Sequence, residues 1–77
     1  MGRRPWTQAA LDAQLVKAAE AGDAAAIEWL AREGASPNAK AVGGWENGEP
    51  AAYIATRRGH MVAMETLLRL QLARQQP

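Results

Sequence analysis

Leu15-Val16-Lys17-Ala18-Ala19-Glu20-Ala21-Gly22-Asp23, followed by Ala26, Ile27, Leu30 and Ala31, is the stretch that sets the fold class. Leu11, Leu15, Ala18 and Ala19 recur at steps of three and four residues, so they share one face of a helix. Thr7 can cap that helix at its start, and Gly22, free to take a left-handed backbone, can end it, which predicts a first helix over 8–21. Asp23 is a good N-cap for a second helix, in which Ala26, Ile27, Leu30 and Ala31 form one stripe until Gly34 stops it. The turn between the two helices is minimal. They therefore read as an antiparallel pair.

Downstream, Ala35-Ser36-Pro37-Asn38-Ala39-Lys40-Ala41-Val42-Gly43-Gly44-Trp45-Glu46-Asn47-Gly48-Glu49-Pro50 carries proline and glycine punctuation and cannot hold a helix, so 35–50 reads as a long loop or hairpin. Helical pattern resumes over 51–58, breaks at Gly59, and returns from Met61 to about residue 75 with Met64, Leu67, Leu68, Leu70 and Leu72. Sliding the chain by 37 residues sets Ala18 on Ala55, Gly22 on Gly59, Ala26 on Ala63, Glu28 on Glu65, Leu30 on Leu67 and Arg32 on Arg69. Alanine pairs carry little weight in a chain with eighteen alanines, but glycine, leucine, glutamate and arginine agree in the same register. The chain reads as two copies of one unit. The expected fold is all-α, with about four helices in two stacked antiparallel hairpins.

On these residues the chain resembles the ankyrin repeats. The first copy matches through Leu15 to Asp23, Ile27, Leu30 and Glu33-Gly34-Ala35-Ser36-Pro37-Asn38-Ala39. The second matches through Tyr53-Ile54-Ala55-Thr56-Arg57-Arg58-Gly59-His60 with Met64, Leu67 and Leu68. The likeness covers about residues 11–72, and its specific parts are Gly59-His60 and the Gly34-Ala35…Asn38-Ala39 run. It implies an α-solenoid in one domain over 1–77, with repeat one at about 8–39, a finger at 40–50 and repeat two at about 51–76. An ordinary ankyrin period is about 33 residues, so about four extra residues are placed near Glu46 to Glu49. Pro50-Ala51-Ala52-Tyr53 stands where the family has its threonine-to-histidine turn and lacks both of those residues. No glycine stands at Gln71, and the chain continues as a prolonged helix would when it forms a cap.

Composition excludes several function classes. A net charge of +1 gives no general reason to expect nucleic acid or anionic membrane as a partner. No run approaches the roughly 18 apolar residues of a membrane span. Without cysteine there is neither disulfide nor thiolate chemistry, and a reducing, cytoplasmic location is expected. The arginines at 3 and 4 have no apolar run behind them, so no secretory signal is expected. Met1 and the polar Gln75-Gln76-Pro77 read as the ends of a complete small protein.

No enzyme is expected, because no nucleophile, base and orienting group can be assembled from these residue types. His60, the only histidine, makes neither a metal site nor a triad by itself; the ankyrin resemblance implies that it caps or braces the start of the last helix. Gly43-Gly44 belongs to no phosphate-binding pattern. Neither a metal nor a cofactor is expected. Glu46 and Glu49 read as solvated loop carboxylates with nothing to shift their pKa. Trp45 stands on a loop where no helical stripe asks for it. It is either a binding anchor, combining large contact area with one hydrogen-bond donor, or a lid folded over a thin core. Trp29 is expected to pack within or at the edge of its hairpin, and Trp6 to seal the N-terminal end.

The leading expectation is a protein–protein interaction module whose finger, Lys40 to Glu49, and first-helix surface form one concave face. The candidate partner-binding residues are Lys40, Val42, Trp45, Glu46, Glu49, Arg57 and Arg58, with Glu20 beside them. The resemblance places Arg57 and Arg58 toward the concave surface, whereas the residues alone are equally consistent with a solvated helix end. The alternative is a self-associating structural domain, since two repeats are few for independent stability; Leu68, Leu70 and Leu72 would then form a homodimer seam on the C-terminal helix. Nucleic-acid binding through Arg3, Arg4, Arg57, Arg58, Arg69 and Arg74 ranks third.

Overall fold

The computed structural model describes residues 7–75. They form four helices, α1 (Gln8–Ala21), α2 (Ala24–Arg32), α3 (Ala51–Arg57) and α4 (Met61–Gln75). Among the described residues there is no strand, only an isolated antiparallel bridge between Lys40 and Pro50. Each helix start has a local cause. Thr7 accepts a hydrogen bond from the Ala10 amide at 3.1 Å, and Asp23 accepts one from the Ala26 amide at 3.1 Å, so two otherwise unpaired first-turn donors are satisfied. Pro50 begins α3 without any side-chain cap. The Ala51 amide instead donates to the Ala39 carbonyl at 2.9 Å, so the loop itself satisfies a first-turn donor of α3.

The ends of α1 and α3 are closed alike. Gly22 and Gly59 take φ of 76° and 80°, which a residue with a Cβ adopts only at a cost. Past each glycine the chain closes the helix in the same way, Asp23 donating to Ala18 O at 2.9 Å and His60 to Ala55 O at 2.8 Å. α3 packs on α4 and on α1, and α2 packs on α1 and on α4, so the two hairpins lie side by side. Leu11, Leu15, Ile27, Ile54 and Leu67 are fully buried, with Ala19, Ala35, Ala51, Ala55 and Ala63 between them. Burying one of the large side chains is worth about 1.5–3 kcal/mol, and the alanines add little beyond letting the helices approach.

Two expectations need correction here. α3 ends at Arg57, with Arg58 as its cap rather than its last residue. Leu70 does not lie with Leu68 and Leu72; it packs against the core while they are exposed. At 100° per residue, positions two apart point to widely separated faces of a helix. Trp29 is half exposed at the edge of its hairpin. Trp6, Arg3 and Arg4, and the residues beyond Gln75, lie outside the described residues.

Candidate interaction groove

Residues 39–51 form a closed finger. Ala41 N donates to Glu49 O at 2.9 Å and Gly48 N to Ala41 O at 2.8 Å, while the tip is tied by Asn47 N to Gly44 O at 3.2 Å. Gly43 N also donates to the Asn47 side-chain oxygen at 2.7 Å. Gly43, Gly44 and Gly48 all have positive φ, between 71° and 87°, so this reversal depends on glycine.

A groove of about 510 Å³ runs between the finger and α1. Ala9, Asp12, Ala13, Val16, Lys17 and Glu20 form one wall, spaced as a single face of α1, and Ala41 to Glu46 form the other. Val42 and Trp45 rise from its rim, 94% and 77% exposed. Asp12 holds the groove's base in register: its carboxylate accepts from Ser36 N at 2.9 Å and from the Gln8 amide at 2.8 Å, tying α1 to the turn that leads into the finger.

Glu46 departs from expectation. Rather than a solvated carboxylate, it is 6% exposed and bound by two arginines. Arg57 donates to Glu46 Oε2 at 2.7 Å, and Arg58 reaches Oε1 and Oε2 at 3.1 and 3.0 Å. Loop residues with short side chains around them are normally hydrated, but the finger folds back onto the end of α3, and burial of an anion is tolerated only with such partners. The hydrogen bond from Arg58 holds the Glu46 carboxyl below its ordinary value of 4.5; desolvation opposes this, and Arg57 reinforces it. Arg57 also pairs with both carboxylate oxygens of Glu49, and these bonds, with that to Glu46, raise its already high pKa.

The Arg57 guanidinium lies 4.7 Å from the centre of the Trp45 ring and 5.2 Å from that of Tyr53. Such contacts are worth about 0.5–1 kcal/mol each at exposed sites. Trp45 is thus neither a free loop side chain nor a lid on the core: it is propped against a cation that the finger's own carboxylates hold in place. The arrangement joins five of the seven candidates, Trp45, Glu46, Glu49, Arg57 and Arg58, in one cluster, with Val42 on the same rim. Lys40 is exposed and does not line the groove.

The α1 wall, Glu20 apart, was not among the expected contact residues. Its signal was Ala9, Ala13 and Lys17, one turn apart on the side of α1 away from the core stripe. A smaller cleft of about 250 Å³, lined by Arg32, Arg69, Arg74 and Leu70 among others, lies between α2 and α4. Among the described residues no group of three or more histidine, aspartate and glutamate side chains gathers to hold a metal, and no helix is long and apolar enough to cross a membrane. His60 braces the start of α4 through its side chain. Nε2 lies 3.1 Å from the Glu20 carbonyl and so links the start of α4 to the end of α1. Compared with known proteins, the chain matches no family model, no curated protein and no solved structure.

Proposed function

We propose that the chain is an ankyrin-type protein-interaction module, working in the cytoplasm without catalysis, which binds a segment of another protein in the groove between α1 and the finger. The observation that carries this reading is Trp45: a large apolar side chain exposed on the rim of a groove, yet held by Arg57 and by a hydrogen-bonded loop. An aromatic side chain ordered before binding loses little entropy on contact, and such residues commonly dominate interface energies. The exposed Val42 and the small residues Ala9 and Ala13 opposite suit an apolar segment lying along the groove. The ion pairs also bear on the partner's charge. Arg57 and Arg58 are neutralised within the chain by Glu46 and Glu49, so an acidic partner residue is not required. The same pairing removes two of the arginines on which nucleic-acid binding would depend.

The test is capture from a lysate of the source organism by the natural chain and by Trp45→Ala, matched for helical content by circular dichroism, with a photo-crosslinking residue at position 42. A protein retained by the natural chain, crosslinked at 42 and lost with Trp45→Ala supports the module. Equal retention by both chains, or capture without crosslinking, counts against the groove as the binding face.

A further inference from the structure

α4 is apolar on two opposite faces. Ala63, Thr66, Leu67 and Leu70 face the other helices, while Met61, Leu68 and Leu72 are exposed on the far side. A surface helix ordinarily presents polar residues there, and one that is apolar all round is ordinarily buried. The exposed residues are also spaced to match a partner. Met61, Glu65, Leu68 and Leu72 follow one another at steps of four, three and four, which is the seam of a helix pair. We propose that this face is covered by α4 of a second copy, running antiparallel about a two-fold axis.

The charges fit that occupant. In an antiparallel pair with Met61 opposite Leu72 of the second copy, and Leu72 opposite its Met61, Glu65 falls opposite Leu68 of the second copy. One residue further along that copy is Arg69. Among the described residues Glu65 has no partner, and Arg69 is bound only through one N–H, to Glu28 at 3.1 Å. Its guanidinium has five donors, so it can hold Glu28 and the other copy's Glu65 together. The two-fold axis makes each such contact twice, so the same patch is complementary to itself. A parallel pair would instead set Glu65 against Glu65, a like-charge contact at the centre of the seam. This surface is separate from the groove, and either proposal can fail without the other.

The experiment is light scattering and thermal melting of the natural chain over a hundredfold range of concentration. A mass of twice 8.3 kDa at high concentration, with a melting temperature that rises with concentration, is expected. Leu68→Glu with Leu72→Glu should halve the mass while keeping the helical content, since both residues are exposed. Glu65→Arg should weaken the dimer at least tenfold, and adding Arg69→Glu to the same chain should restore it by exchanging the two charges. A natural chain that is monomeric throughout overturns the proposal. So does a dimer that survives the leucine replacements, or one weakened by Glu65→Arg and not recovered by the second change.

Discussion

Gly22→Ala should destabilise the protein by about 2–3 kcal/mol, whereas Gly59→Ala, at the same position of the second copy, should cost only about 1–2. Both glycines have a left-handed backbone, φ 76° and 80°, where an alanine is strained by roughly 1–2 kcal/mol. Only Gly22 has a neighbour in the way. A Cβ built there would sit 2.6 Å from His60 Nδ1 and 2.7 Å from its Cγ, while one on Gly59 meets nothing within 4 Å. To make room the imidazole must turn away, and its 3.1 Å contact with the Glu20 carbonyl, worth about 1 kcal/mol, is lost. A chain of 77 residues has about 4–12 kcal/mol of stability in total, so the larger loss is a sizeable fraction of it. Urea denaturation with unchanged slope gives the two values directly. In thermal melts each kcal/mol is worth roughly 4–8 °C for a domain of this size. The decisive measurement is the double variant. With His60→Ala already in place the clash is gone, and Gly22→Ala should then cost no more than Gly59→Ala. If the excess penalty persists without the imidazole, or if the two glycine variants are equal from the start, the clash with His60 is not what makes Gly22 the costlier position.

Because Glu46 is held below its ordinary 4.5, the stability it contributes is complete above that pH and is lost as pH falls through its lower folded value. The urea midpoint of the natural chain should therefore fall more steeply between pH 5 and pH 3 than that of Glu46→Gln, and parallel curves would contradict the pairing of Glu46 with Arg57 and Arg58. Asp23→Ala removes the cap on the Ala26 amide and should cost about 1 kcal/mol in the same assay, with no change in oligomeric mass.

Much of the fold was legible because its causes are local. Thr7, Asp23, Gly22, Gly34 and Gly59 act within a few residues of themselves, and the apolar stripes of α1 and α2 repeat at the helical period, so starts, stops and buried faces could be read in order along the chain. Sliding the sequence along itself aligned Gly22 with Gly59, and α2 and α4 start at the same offset, at Ala24 and Met61, although α1 and α3, which start at Gln8 and Ala51, do not. The candidate site was legible in composition and not in geometry. Trp45 stood out as a tryptophan on a glycine-rich loop, but its support depends on Arg57, twelve residues away, and nothing in the spacing of either declares that contact.

Glu46 is the clearest division between the two levels. In the sequence it is an acidic loop residue among glycines, the usual composition of a hydrated turn. Its burial is decided by the finger's backbone hydrogen bonds, which return the chain against the end of α3 and bring two guanidiniums to one carboxylate. Likewise the residues of α1 that wall the groove are ordinary helix-surface residues until the finger stands opposite them. Sequence determined by itself which segments are helical and which faces of α1 and α2 are apolar, since those follow from interactions within a turn or two. Only the tertiary structure decided which loop charge is buried, which arginine carries the tryptophan and where the groove opens, because those depend on segments far apart in the chain meeting in space.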